Sequence, residues 1–383
     1  MRIILAFSFL FLTQFSIGQI PDGYLNIDKT IAKIPDSLTT TTSKIASYIA
    51  ASFKTESEKI RAVYYWTATN ISYDLPNMYE PNYLDSPEVK ITNTLKSRKG
   101  VCIHYAEVFN DIANKVGVKT YIIGGYTKQL GVIATISHAW CASFIDGKWY
   151  LFDPTWGSGY VEGKKFIKKF NTTYFKVEPS KMIVSHMPFD YLWQFLNAPL
   201  TNQEFVSGKA DAKKPKMNFD YQIEIDNYEK LPDGEKAFEA SKRIEKNGAI
   251  NNLILEQLKD KKNEFTVYNQ NKNVEKLNGI TANYNEAAAS LNDFLIFKSK
   301  KFKPTQPDDV LKKMITNIKD KLVTCRDEVY TVGSVGQQNI NNLANLKKLI
   351  LDALTHVTIE DKFVTEYLGK GLIGRKIMIN TKN

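Results

Sequence analysis

Cysteine is scarce in this chain. Three residues in 383 are too few, and too odd in number, for a disulfide framework, so at least one thiol is unpaired. Beyond the first eighteen residues no stretch is long and apolar enough for a membrane helix. The lysines that dominate a net charge of +10 are scattered, and no recognition motif accompanies them, which argues against nucleic acid as a partner. A basic surface of this kind is a solvated face that also favours acidic partners, such as anionic envelope polymers. With 43% hydrophobic and 24% charged residues, the composition is that of an ordinary soluble globular protein with room for two domains.

The N-terminus is unlike the rest. Arg2 is followed by an almost wholly apolar run, Ile3 to Phe15, and then by Ser16, Ile17 and Gly18. A basic start, a short apolar core and a small-x-small ending predict a signal peptide over residues 1–18, cleaved near Gly18–Gln19. The expected address is secreted or periplasmic; an uncleaved N-terminal anchor is the alternative. Residues 19–36, with Pro21 and Pro35, read as an extended leader. A globular, aromatic-rich catalytic domain follows over 37–205, then a polar linker over 206–227 and a helical region over 228–383.

Four apolar stripes at spacings of three and four mark the helical region. They are Ile250, Leu253, Ile254 and Leu258; Leu277, Ile280, Tyr284, Leu291 and Leu295; Leu311, Met314, Ile318, Leu322, Cys325 and Val329; and Leu343, Leu346, Ile350 and Leu354. Pro304 and Pro307 separate the second from the third, and Gly333 and Gly336 the third from the fourth. A small bundle is expected, with Cys325 a structural thiol inside it.

The chemistry lies between Lys99 and Gly159. Tyr105, Val108, Phe109, Ile112 and Val116 form a helical stripe that Gly117 ends, which puts Cys102 at the start of a helix. A helix start carries partial positive charge and unpaired N–H groups, which favour the thiolate that a nucleophile needs and can hold an oxyanion. Downstream, Ile136 to Phe144 reads as a strand, Asp146-Gly147 as a tight turn and Lys148 to Asp153 as the returning strand. Counting from the turn, Ile145 faces Lys148, Phe144 faces Trp149, Trp140 faces Asp153 and His138 faces Thr155. His138 and Asp153 then share a sheet face on a diagonal of about 7–8 Å, within reach of an imidazole–carboxylate hydrogen bond. Cys141 falls on the other face, as a core thiol, and a Cys102–Cys141 disulfide is disfavoured.

Cys102-x-x-Tyr105-Ala106, His138-Ala139-Trp140 and Asp153-Pro154-Thr155-Trp156-Gly157 together resemble the transglutaminase-like superfamily. Trp66 to Asp74 resembles the helix and loop that precede its cysteine. Asp146 to Tyr150, Tyr174-Phe175, His186-Met187-Pro188 and Trp193-Gln194 look like its kyphoscoliosis-peptidase branch. The resemblance covers about residues 40–200. It implies an α+β papain-like core, with a cysteine-bearing helix packed on an antiparallel sheet, ahead of the separate all-α bundle. It also implies Cys102, His138 and Asp153 as nucleophile, base and orienting acid, with no cofactor and no metal. Two positions depart from the branch pattern: His104 stands where glycine is frequent, and Cys141 where asparagine is. His104 reads equally as a pocket group or a helix-surface histidine, and His186 as structural. Trp66, Asn70, Tyr73, His104, Trp140 and Trp156 are the candidates for cleft walls or oxyanion donors.

A cysteine peptidase or amidase acting on peptide or protein amides is the reading that follows. A non-catalytic scaffold, holding an envelope or protein partner through the C-terminal helices, is the first alternative. A cross-linking transglutaminase is the second, and the lack of a calcium loop and flanking β domains tilts against it.

Overall fold

The computed structural model describes residues 22–79, 85–209 and 219–380. The expected signal peptide and the leader up to residue 21 lie outside them. No helix among the described residues is long and apolar enough to cross a membrane.

The chain opens with helices α1 (Asp22–Ile31), α2 (Thr42–Ser52) and α3 (Glu56–Asn70), then strand β1 (Ser72–Tyr73), helix α4 (Pro87–Ser97), strand β2 (Lys99–Gly100) and helix α5 (Cys102–Lys115). Strands β3 (Thr120–Gln129), β4 (Val132–Ile133), β5 (His138–Ile145) and β6 (Lys148–Phe152) follow, then α6 (Pro154–Ser158), the hairpin β7 (Gly159–Glu162) and β8 (Lys165–Lys168), α7 (Pro179–Met182), β9 (His186–Pro188) and α8 (Asn202–Ser207). The remainder is helical: α9 (Tyr221–Glu229), α10 (Asp233–Asn247), α11 (Asn252–Ser299), α12 (Asp308–Val329), α13 (Ile340–Leu368) and α14 (Leu372–Asn380). The fold is α+β with a helical C-terminal region.

The main sheet runs β4-β3-β5-β6, with β9 also paired to β3, and every pairing in it is antiparallel. Both faces are covered, so β5 reads as a nearly continuous apolar run rather than an alternation. Ala139, Cys141 and Ile145 pack with α5 residues Tyr105, Val108 and Phe109. Trp140 and Ala142 pack on the other face with Trp149, Leu192 and Phe195. Gly125 is where β9 meets this sheet: a Cβ there would lie 2.2 Å from the Met187 carbonyl oxygen and 2.5 Å from the Trp140 ring, so only glycine permits the approach.

Three expectations need correction. The segment expected as an extended leader is largely helix α1. Tyr24, Ile27, Asp28 and Ile31 are spaced for one face of this helix, and Pro35 falls after it rather than within it. Ile27 and Ile31 are buried, and Asp28 makes a bidentate ion pair with Arg61 of α3 at 2.6 and 2.8 Å.

The sheet-bearing unit also reaches past the expected boundary at 205. It comprises residues Met1–Lys230 with Glu239–Lys259; the second unit comprises Leu231–Phe238 with Asp260–Asn383. Helix α9 occupies part of the expected linker, and the middle of that linker lies outside the described residues. Ile244, Ile254 and Leu258 join Tyr126 and Phe205 in one apolar cluster, and Arg243 pairs with buried Asp190 at 2.7 and 2.8 Å. Apolar burial and a paired charge therefore assign this stretch to the first unit.

Finally, the first two predicted stripes, apart from the exposed Ile250 just ahead of it, fall on the single 48-residue helix α11. Ile254, Leu258, Leu277, Ile280 and Leu291 are buried on it, but at the end of the second stripe Phe294 is buried and Leu295 is 40% exposed. Over so long a helix a stripe at fixed spacing drifts around the axis, and the inward position slips by one. In the second unit α12 buries Leu311, Ile318, Leu322, Cys325 and Val329 as expected, and α13 buries Leu346 and Ile350.

Candidate active site

Asp146 and Gly147 both have positive φ, 51° and 77°, and the β5–β6 register follows from that turn: Ile145 opposes Lys148, Phe144 opposes Trp149 and Cys141 opposes Phe152. Pairing stops there. The expected Trp140–Asp153 and His138–Thr155 pairs are absent, because Pro154 starts helix α6 and turns Asp153 into its N-cap.

That cap organises the site. Asp153 is fully buried, and its Oδ1 accepts the backbone N–H groups of Thr155 at 2.8 Å and Trp156 at 3.0 Å. The other oxygen, Oδ2, lies 2.8 Å from His138 Nε2 and 3.2 Å from His186 Nε2. Burial alone would raise the Asp153 pKa, but the charge and hydrogen bond of His138, with the bond from His186, hold it well below the usual carboxylate range. Burial would lower the His138 pKa; the Asp153 charge and hydrogen bond, with the hydrogen bond and charge of Cys102, instead push it up to about 10. His138 and Asp153 thus form a buried imidazolium–carboxylate pair.

Cys102 is the first residue of α5, half-buried, and its charge is among the causes that raise the His138 pKa. With Nε2 engaged by Asp153, Nδ1 is the ring nitrogen left for the thiol. Both residues line a cleft of about 610 Å³ whose walls include Tyr73, Trp156, Tyr160, Phe166 and Tyr174. No Lys, Arg, Asp or Glu is among its lining residues within the described part of the chain.

The other candidates separate. Tyr73 and Trp156 line the cleft, and the Tyr73 hydroxyl is pushed up by burial and then by the charge of Cys102. Trp140 is fully buried, with its ring stacked 6.0 Å from that of His138. Trp66 is a core residue with the Arg98 guanidinium over its ring, and Asn70 donates its amide to the Trp66 carbonyl at 3.0 Å. His104 turns back on its own helix start, where its Nδ1 accepts the Val101 N–H at 3.0 Å. Burial, followed by the charge of Lys90, lowers its pKa. Trp66, Asn70 and His104 are not among the residues lining the cleft. Cys141 is buried, its thiol pushed up by burial and donating to the Ala106 carbonyl, and all three cysteines are free thiols.

His186 is the residue whose place the sequence left unread. Its motif was visible, but its contact with Asp153 depends on β9 pairing with β3, far away in sequence. His138, Asp153 and His186 offer three metal-ligating atoms within 4.8 Å of one another. Those atoms are already joined by hydrogen bonds.

Residues 43–154, which include Cys102, His138 and Asp153, match the family model of the transglutaminase-like superfamily. The human kyphoscoliosis peptidase is 33% identical over 159 residues, 39% of this chain and 24% of that protein. The mouse kyphoscoliosis peptidase is 33% identical over 156 residues, 39% of this chain and 23% of its own length. The chain therefore spans about a quarter of the length of these curated relatives. A solved structure described as a TGase aligns at 18% identity with a TM-score of 0.27, over 60% of this chain and 53% of its own. The segment from residue 43 to residue 154 is a domain of the transglutaminase-like superfamily.

Proposed function

We propose that this protein is an exported cysteine hydrolase that cleaves peptide or protein amides through Cys102, His138 and Asp153. The observation that carries this reading is the thiol at a helix start, in one cleft with an imidazole that a buried carboxylate holds.

The steps follow from the geometry. The Cys102 thiolate attacks the amide carbon, a C–S bond forms, and the carbonyl electron pair moves onto oxygen. In the first turn of α5 the N–H groups of His104 and Tyr105 bond the Val101 carbonyl, which leaves those of Cys102 and Ile103 suited to stabilise that oxyanion. The intermediate collapses as His138 gives its proton to the leaving nitrogen, and the C–N bond breaks to leave a thioester. Water then attacks with its proton passing to His138, the C–S bond breaks, and a carboxylic acid leaves. Asp153 fixes the ring and stabilises the imidazolium throughout.

The cleft's aromatic walls and lack of charged lining favour substrates with neutral, apolar side chains near the scissile amide. The export assignment rests on the basic-then-apolar start of the chain, and mass analysis of the mature N-terminus checks it.

Hydrolysis and amine transfer share the thioester and differ in what resolves it. Incubating the protein with casein and a labelled primary amine separates them. The expected outcome is peptide release with no label in protein; label incorporation without peptide release would sink the hydrolase reading in favour of cross-linking. An electrophilic peptidyl probe should modify Cys102 alone, since Cys141 and Cys325 are 0% and 1% exposed.

A further inference from the structure

His186 sits inside the site yet takes no step in acyl transfer. It is 1% exposed and packed among rings, with Trp156 at 4.5 Å, Trp140 at 5.1 Å and Tyr174 at 5.8 Å. Its backbone is held in the sheet, since β9 pairs His186 with Thr127 and Pro188 with Gly125. One ring nitrogen, Nε2, meets Asp153 Oδ2 at 3.2 Å; the other, Nδ1, meets the Ser185 hydroxyl at 2.8 Å. No bulk water reaches such a ring to correct a poor hydrogen bond, so the protons must satisfy these two partners.

Only one arrangement does so without a second charge. A carboxylate oxygen can only accept, so Nε2 must carry a proton; a bare Nε2 would set two lone pairs against each other in a dry site. The Ser185 hydroxyl lies 2.8 Å from Nδ1 and 3.4 Å from the Met182 carbonyl; giving its one proton to the nearer acceptor, Nδ1, leaves the ring neutral. A doubly protonated ring would place a second imidazolium 5.6 Å, centroid to centroid, from His138, with one carboxylate for both. The groups facing His186 agree. Burial lowers its pKa first, Asp153 opposes this, and the charge of His138 lowers it further, while Tyr174 contributes only an uncharged ring near neutral pH.

We propose that His186 is a positioning residue, a neutral imidazole protonated on Nε2 that pins Asp153 Oδ2 in place for His138. The inference rests on the Cys102–His138–Asp153 reading. It implies that the carboxylate is held on three sides, by the α6 amides, by His138 and by His186, so that it cannot swing away when His138 moves its proton.

Two measurements on the full-length protein test this. Long-range proton–nitrogen correlation on histidine-labelled wild-type protein reads the tautomer directly and needs no substrate. The expected result is a neutral His186 with its proton on Nε2 between pH 5 and pH 8, about a unit and a half either side of an ordinary imidazole. A proton on Nδ1, or on both nitrogens, would overturn the proposal. In turnover, His186→Phe keeps a ring and removes the donor, and is expected to lower kcat by about 10- to 100-fold with KM changed by less than about threefold. His186→Gln restores an N–H donor and should recover most of that loss. Equal activity of the two variants, whether both wild-type or both impaired, would also overturn it. If the acyl-transfer reading itself is wrong, turnover will survive loss of the Cys102 thiol whatever tautomer His186 shows.

Discussion

Cys102→Ala is expected to remove amide hydrolysis by a factor on the order of 10⁴ or more while leaving the fold intact. The variant deletes one sulfur atom from a half-buried position at the edge of a cleft, and the His138 ring that faced it lines the same cleft, where water can take the place of the thiol. Its melting temperature should therefore stay close to wild type, by an equivalent of less than about 1 kcal/mol. Neither remaining thiol can substitute. Cys141 lies on the opposite face of β5 from His138 and bonds to the Ala106 carbonyl, and Cys325 is buried in α12. Labelling by an electrophilic peptidyl probe should vanish along with turnover. Residual turnover above about 1% of wild type would exceed what an oxyanion site and binding alone can supply, and the cysteine assignment would fall.

Asp153 carries the second large effect, on catalysis and on stability together. Its two oxygens serve four partners: the Thr155 and Trp156 amides, His138 and His186. Asp153→Ala leaves a helix uncapped and two buried imidazoles without an acceptor, for an expected loss of about 3–5 kcal/mol. Asp153→Asn separates the two roles. Its side-chain oxygen can still cap α6, but its NH₂ group now donates toward His138 Nε2 and selects the wrong ring tautomer. Turnover should fall by about 10³- to 10⁴-fold with a much smaller loss of stability. Comparable activity of Asp153→Asn and wild type would refute the orienting role.

The pH dependence carries a sign that can be checked. The Asp153 pKa is held below its ordinary 3.8, so its contribution to stability is present above that value and lost as pH falls below it. His138 is raised from 6.5 to about 10, so its contribution is full below 6.5 and lost as pH rises toward 10. The stability gap between wild type and Asp153→Asn should therefore be widest between about pH 4 and 6.5 and narrow on both sides. Melting both proteins from about pH 2 to about pH 10 tests it; a gap independent of pH over that whole span would mean that the pair is not ionised.

Much of this site was legible because it is local. The Asp146-Gly147 turn set the register of β5 and β6, and through it the face of Cys141. The helix start at Cys102 followed from the stripe that begins at Tyr105. Reading failed where a local rule was extended past its end. The strand count ran on through Asp153 to Thr155, although Pro154 cannot continue a ladder and an aspartate before it is a natural cap. It failed again where position depends on distant pairing. Nothing within ten residues of His186 reports that β9 docks on β3, and nothing near Trp66, Asn70 or His104 reports that their polar groups turn away from the cleft. On α11, regular spacing was a true signal with a phase error of one residue, enough to exchange Phe294 for Leu295.

The ion pair between Asp28 and Arg61 bears on how this protein can be trimmed. The Arg61 guanidinium is fully enclosed, with Tyr24, Phe170 and Phe175 around it and one carboxylate to balance it. A protease or a cloning boundary that removed α1 would strand a positive charge in an aromatic box, a penalty that no repacking of side chains relieves. A shortened version of the protein should therefore begin upstream of Tyr24, since one beginning at the family-matched segment would carry the candidate site residues on a scaffold missing its counterion.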